Sequence, residues 1–365
     1  MRKQRLLAML AASALALSGC SALLDREYVQ VIPHNTAPTA EGDPNVLRAD
    51  SYQELVNILL YFVTTGAEKG LVRLYLNSEA VESSLEAACL EVVQEDPLGA
   101  YAVEFIKYSV NSLVTYFEAE VQITYRRTRE QVASIVSATG VTAIRSELRS
   151  ALAVFAPERV LRISYFDGDE DFIQTLVRQA YYASPASALD MPEIAVSIYP
   201  EAGRQRIVEI LLTYHLDPQE LEQRKEKVGQ QLRLLSRPLQ LLAGDEAVQA
   251  IARTLLKESR YDPEAGSTAY HALTEGAADS EGLALAFAAL CDERGIPCQV
   301  VEGVLEDNPW YWNVVSTEQG WRHLDLTRWE LLVQEGEDPF RTDPDMSERG
   351  LMWDTSSVPL CPPAA

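Results

Sequence analysis

The sequence predicts an α+β protein in which a strand-helix-strand-strand-helix module occurs twice and is followed by a second kind of α+β domain. Two observations carry that prediction. Short motifs recur at a fixed offset: Val72-Arg73-Leu74 reappears as Leu161-Arg162-Ile163 and Thr124-Tyr125 as Thr213-Tyr214, with both the arginines and the tyrosines 89 residues apart. Apolar residues also switch between helical spacing and strict alternation in the same order along both stretches. With 365 residues and 47% hydrophobic content, the chain has material for about two sizeable cores.

The N-terminus reads as an export signal. Arg2, Lys3 and Arg5 precede an apolar run from Leu6 to Leu17, too short to span a bilayer, and Leu17-Ser18-Gly19-Cys20 follows at once. This lipobox resembles the site at which bacterial lipoprotein precursors are lipidated and cut. Residues 1–19 are then a signal peptide, and Cys20 carries a diacylglyceryl group that ties the protein to the extracytoplasmic face of the cell membrane. An uncleaved anchor or an ordinary signal peptide with a chance cysteine is the competing reading; the small-small-Cys triplet favours lipidation. Residues 20–48 are polar and turn-rich, with Pro33-His34-Asn35 and Ala40-Glu41-Gly42-Asp43-Pro44, and read as a tether containing one short strand over residues 28–32. Asp50-Ser51 caps the first helical pattern, Tyr52-Leu55-Val56-Leu59-Leu60, where the folded region is expected to begin.

The duplicated region spans residues 49–235, with copies at about 70–150 and 159–235. In the first copy the elements fall at 71–76, 83–95, 101–110 and 117–127, with a helix from Arg129 onward; the second copy ends on a helix over 218–235. Leu85, Ala88, Cys89 and Val92 answer to Ile173, Leu176, Val177 and Ala180, one residue out of step, and Pro97 answers to Pro185. Ala119, Val121, Ile123 and Tyr125 alternate as Val208, Ile210, Leu212 and Tyr214 do, which places Glu120 and Glu209 on the outward face. Short connections between strands predict antiparallel pairs. Cys89 lies on an apolar helical stripe, and His215 reads as a structural side chain. Nothing here composes a catalytic site, so the module is either a binding platform or a spacer.

The C-terminal region carries the chemistry. A helix over 247–258 leads through Tyr261-Asp262 and Ala269-Tyr270-His271-Ala272-Leu273 to Gly276-Ala277-Ala278-Asp279-Ser280-Glu281-Gly282. Gly295-Ile296-Pro297-Cys298 then precedes a strand over 299–303, Trp312-Asn313-Val314-Val315 forms another, and Trp321-Arg322-His323-Leu324-Asp325-Leu326-Thr327 the last. This order resembles the transglutaminase-like superfamily, and implies a papain-like cysteine protease type of fold over residues 236–332. It also implies a Cys-His-Asp triad acting on acyl or amide groups. Family members carry Cys-x-Gly-Tyr-Ala at a helix start and His-Ala-Trp-Asn on a strand. Here Ser280-Glu281-Gly282-Leu283-Ala284 and Trp310-Tyr311-Trp312-Asn313 stand in those places. Ser280, Trp310 and Asp325 therefore hold the triad positions, and Asp325 alone keeps its identity.

Those replacements remove the means of catalysis. A cysteine at a helix N-terminus beside an imidazolium loses its proton well below the ordinary thiol pKa of about 8.5, whereas a serine hydroxyl needs a positioned base. Indole has one N–H donor and no acceptor lone pair, so Trp310 is not that base. Ser280 has a structural explanation as a helix cap. His323 shares a strand face with Asp325 and is the one candidate for a substitute base, but a histidine two residues before this aspartate is also common in active relatives, which points to a structural role. Trp312 and Trp321 fall at core positions of the family, leaving Trp310 and Tyr311 as candidate ligand contacts. Residues 333–365, acidic and proline-bearing, read as a tail with little regular structure, docked locally by Trp353 and Cys361.

Charge narrows the partners. There are 31 basic and 54 acidic residues, and loss of the leader takes the net charge from −23 to −26, which disfavours nucleic acid. Cys291 and Cys298 are placed for a bridge that the sequence does not decide. Neither a cofactor nor a metal site is predicted. The expected function is binding or scaffolding, with peptide or cell-wall material as ligand, by a lipoprotein with a degenerate transglutaminase-like domain. The alternative is an acyl or amide transferase or hydrolase using Ser280 with an unrecognised base.

Overall fold

The computed structural model describes residues 38–41, 43–335 and 337–363. The signal segment, Cys20 and the strand expected over 28–32 lie outside the described residues. Among the described residues no helix is long and apolar enough to cross a membrane.

The first unit contains β1 (Ala40–Glu41), β2 (Asp43–Ala49), α1 (Tyr52–Thr65), β3 (Lys69–Leu74), α2 (Val81–Gln94), α3 (Pro97–Ala102), β4 (Val103–Ser112) and β5 (Phe117–Tyr125). Its sheet runs β1-β2-β3-β5-β4. Ser51 starts α1 by accepting the Glu54 N–H, and Gly66, at φ 68°, ends it. The expected tether is corrected here, because residues 43–49 form a strand parallel to β3, with Val46 opposite Leu71 and with Val46, Leu47 and Ala49 buried. A parallel pair needs a crossover, and α1 supplies it. The fold thus begins ahead of Asp50.

After the short α4 (Arg129–Ala133), held by a reciprocal Thr128–Gln131 cap, come β6 (Val136–Ala138), α5 (Val141–Ala153), β7 (Glu158–Ser164), α6 (Glu170–Tyr182), β8 (Glu193–Tyr199) and β9 (Gln205–Thr213). The single helix expected from Arg129 is therefore three elements, and the last two of them belong to the second unit. The second sheet runs β6-β7-β9-β8 and also opens on a parallel pair, with Val136 opposite Leu161.

The two units meet through the back of the second sheet. Val160 and Ile207 join the core of the first unit, and the wholly buried Tyr101 of α3 meets Tyr199 edge-on at 5.7 Å. Arg127 sits over the Tyr101 ring and pairs with Glu209 at 2.7 Å. Glu209, expected to face outward like Glu120, is only 5% exposed, whereas Glu120 is exposed. Strand alternation sets which face a residue is on; whether that face meets water depends on the first unit, which here covers it.

The C-terminal region comprises α7 (Pro218–Ser236), α8 (Gly244–Glu258), β10 (Arg260–Tyr261), β11 (Ala277–Ala278), α9 (Ser280–Glu293), β12 (Cys298–Leu305), β13 (Asn308–Thr317), β14 (Gly320–Leu324), α10 (Trp329–Glu335), α11 (Asp343–Glu348) and β15 (Leu351–Trp353). The antiparallel sheet runs β14-β13-β12-β15. Helix α9 is buried continuously from Gly282 to Cys291, enclosed by β12 and β13, by α7 and α8, and by the turn Pro185–Ser187 of the second unit. Leu221, Val228 and Leu232 of α7 share one core with Leu176 of α6 and Phe287 of α9. The boundary expected at 235/236 is therefore not a boundary between cores.

The tail also differs from expectation. It straps the back of the sheet from edge to edge: Arg341 bridges His323 on β14, and β15 pairs with Gly303–Leu305 of β12. Met346, Leu351 and Cys361 are buried with Trp312, Val301 and Val314. These few apolar residues, spaced among acidic ones, cover a face that would otherwise expose a tryptophan. Trp353 and Cys361 dock it, as anticipated.

Removing one partner of the ion pair between units leaves the other in a poorly solvated site. We expect Glu209→Ala to lower the unfolding free energy by about 2 kcal/mol in urea titrations, the cost of a broken buried pair reduced because Arg127 is partly solvated. Glu120→Ala should change it by less than about 0.5 kcal/mol.

Candidate functional site

The start of α9 is built by the segment that precedes it. Asp279 is the cap: one carboxylate oxygen accepts the Gly282 N–H at 2.9 Å and the other the Ser267 hydroxyl at 2.5 Å. Ser280 is then the first helical residue, which corrects the expectation that it caps the helix itself. Gly282 is required by close approach, since a Cβ there would stand 2.7 Å from the Ala278 side chain and 2.9 Å from the Gly266 carbonyl.

Ser280, Trp310 and Asp325 converge. Ser280 is 7% exposed, and its Oγ accepts the backbone N–H of Tyr311 at 3.3 Å. Trp310 donates its indole N–H to Asp325 Oδ2 at 3.2 Å and packs against Tyr261, with ring centroids 5.7 Å apart. Thr327 supplies its N–H and its hydroxyl to Asp325 Oδ1 at 3.0 and 2.7 Å. Burial pushes the Asp325 carboxyl up, against the hydrogen bonds from Thr327 and Trp310, which favour the ionised form. The indole thus supplies Asp325 with a donor and offers its neighbours no acceptor. The bond Ser280 accepts comes from an amide, which cannot take its proton.

His323 makes its side-chain hydrogen bonds away from Ser280. It is fully buried and forms a second rung of the same ladder: Trp312 donates its indole N–H to Nδ1 at 2.8 Å, and Nε2 lies 2.9 Å from Asp343 Oδ1. Because Nδ1 accepts, the ring proton of the neutral histidine is on Nε2, facing Asp343. Both nitrogens are committed. Cys361 completes a group of three potential ligand atoms lying within 4.8 Å of one another. A protonated Nε2 has no lone pair to offer a metal ion, and the Cys361 thiol is pushed up to about 12. The Asp343 carboxylate also accepts the Cys361 N–H at 2.8 Å, so the group acts as the clasp of the tail.

The feature that sequence reasoning missed is Glu281. Its carboxylate accepts the Tyr182 hydroxyl of α6 at 3.1 Å, and the Tyr182 ring lies 5.9 Å from that of Tyr311. Burial moves the Glu281 carboxyl from an ordinary 4.5 up to about 7; Asp279 and Glu302 add to the rise and the Tyr182 hydrogen bond opposes it. The two contact residues lie 99 positions apart. Helical spacing marks each as near a helix end but nothing in it joins them.

Trp310 and Tyr311 are half-buried, while Trp312 and Trp329 are core. Among the described residues the surface cavities include four that lie elsewhere, one of them of about 700 Å³ between α7 and the Pro185–Ser187 turn. None of the four is lined by Ser280, Trp310, Tyr311 or Asp325.

Residues 234–326 match the transglutaminase-like superfamily model. Similar solved structures include a Cytophaga hutchinsonii protein described provisionally as a cysteine protease, 14% identical over 38% of this chain and 62% of that one, with a TM-score of 0.25. A TGase is 14% identical over 57% of this chain and 60% of its own, with a TM-score of 0.25. The periplasmic domain of TgpA from Pseudomonas aeruginosa, bound to ethylmercury, is 19% identical over 34% and 57%, with a TM-score of 0.24. The chain spans about three fifths of the length of these proteins. No curated protein sequence matches it.

The displaced titration of Glu281 has a measurable sign. Its folded pKa lies above its unfolded one, so its contribution to stability is complete below about 4.5 and is lost as pH rises through about 7. Above pH 8 the wild type carries a penalty of about 3 kcal/mol, since each tenfold change in an ionisation constant corresponds to about 1.4 kcal/mol. Glu281→Gln should raise the denaturation midpoint at pH 8.5 and give no such gain at pH 4, as read by urea unfolding at the two pH values.

Proposed function

We propose, on the premise that residues 234–326 form a transglutaminase-like domain, that this domain is non-catalytic and that the chain is a binding or scaffolding lipoprotein of the extracytoplasmic face. The observation that carries the first half is the 3.2 Å hydrogen bond from the Trp310 indole to Asp325. An active site of this family needs, at that point, a group that takes a proton from the nucleophile and returns it to the leaving group. Indole does neither.

Anchoring through Cys20 rests on the lipobox, and peptide or cell-wall material is the ligand class that an exported acyl- or amide-recognising domain would meet. Ligand contact is assigned to the half-buried faces of Trp310 and Tyr311. The two sheet units read as descendants of one duplicated unit, because their strand order and the register of their opening parallel pairs coincide. They serve as the platform that carries the domain. The alternative, a serine-based acyl or amide enzyme, has one observation in its favour: Glu281, next to Ser280, holds its proton up to about pH 7.

Steady-state assays of the full chain on a glutamine-amide substrate and on a peptide anilide separate the two. The wild type should give no turnover above the uncatalysed rate. Ser280→Cys combined with Trp310→His should gain at least about a hundredfold over either single variant, the scale of general acid–base assistance. Wild-type turnover abolished by Ser280→Ala would overturn the non-catalytic reading.

A further inference from the structure

Cys291 lies near the C-terminal end of α9 and Cys298 opens β12, seven residues later. The chain reverses between them. The N–H groups of Arg294 and Ile296 both donate to the Cys291 carbonyl, at 3.0 and 2.9 Å, and Gly295 takes a φ of 66°. This reversal turns Cys298 back toward the helix it has just left: α9 packs along β12, Cys298 lies with Val300 against the core that contains Cys291, and the Cys298 thiol is, after burial, among the groups that raise the Cys291 pKa. Both are unbridged. The other described cysteines lie elsewhere, Cys89 in the core of the first unit and Cys361 behind the sheet.

We propose that Cys291 and Cys298 are a reversible dithiol–disulfide site, which when oxidised fastens the helix bearing Ser280 to the sheet that bears Trp310 and leads into Asp325. The oxidant is a carrier disulfide. Cys298 is half-buried and Cys291 has no exposed surface, so Cys298 is the thiol that meets it. The Cys298 thiolate attacks one carrier sulfur, forming a mixed disulfide and releasing one carrier thiol. Cys291 then gives up its proton, attacks the Cys298 sulfur and releases the second. Two electrons and two protons pass to the carrier, and one S–S bond forms as one breaks. Burial raises the pKa of the Cys291 thiol well above its ordinary value, which disfavours it as the first attacker; in the second step the intramolecular placement of the two sulfurs offsets the low thiolate fraction.

The test treats the purified full chain with oxidised glutathione, denatures it, alkylates it with iodoacetamide and maps the peptides by mass spectrometry. Alkylation of Cys291 and Cys298 should fall together by about tenfold or more, with a linked peptide about 2 Da lighter than its reduced parts, and dithiothreitol should restore both. In Cys291→Ser, Cys298 should instead accumulate as the glutathione adduct; in Cys298→Ser, Cys291 should remain alkylatable after denaturation. The proposal is overturned if both wild-type thiols remain free, if Cys298 stops at the glutathione adduct in the wild type, or if either cysteine links to a different partner. The wild-type map alone decides these outcomes, so the proposal stands or falls even if a variant fails to fold.

Discussion

Helix α9 has no polar side between Leu283 and Cys291, and the architecture around it answers that constraint. A helix apolar all round is stable in water only when every face is covered. The sheet covers one side, α7 and α8 others, and the Pro185–Ser187 turn of the second unit reaches in to close the remainder. The second unit and the transglutaminase-like domain consequently share a core, with α7 as the element common to both. The contact of Tyr182 with Glu281 follows from the same packing, because it lies where α6 meets the start of α9.

On the non-catalytic reading, the site keeps the placement of its family without the chemistry. A buried carboxylate needs donors whatever its role. Asp325 has Thr327 on one oxygen and the Trp310 indole on the other, so an indole in place of an imidazole keeps the carboxylate satisfied while removing the acceptor that a nucleophile requires. The neighbouring pair, Trp312 with His323, repeats the arrangement one rung along and turns it to another purpose, holding Asp343 and with it the tail.

Much of this is legible in the residues. Alternation locates β5 and β9, helical spacing locates α2 and α6, and the order of short motifs locates Ser280, Trp310 and Asp325. What escapes depends on partners remote in the chain. Strand β2 shows only Val46, Leu47 and Ala49 behind an Asp-Pro-Asn start that reads as a turn, and its strand character comes from pairing with β3. Glu209 and Glu120 occupy equivalent places in similar strands, yet one is buried against the first unit and the other meets water. The tail reads as acidic and irregular because its few packing residues, Met346, Leu351 and Cys361, are too widely spaced to show a period. Serine is so common a cap that Ser280 resembles one in the sequence; the adjacent Asp279 does that work.

The strap across the back of the domain has a consequence for how the molecule behaves among its own copies. Without β15 the antiparallel sheet β14-β13-β12 would present two rows of unpaired backbone groups, each a template onto which another chain can add a strand. Here β15 occupies the row along β12 from Gly303 to Leu305, and Arg341 takes the backbone groups of His323 on β14. The segment thereby covers part of both rows, and a chain cut short before Arg341 would present them to its neighbours.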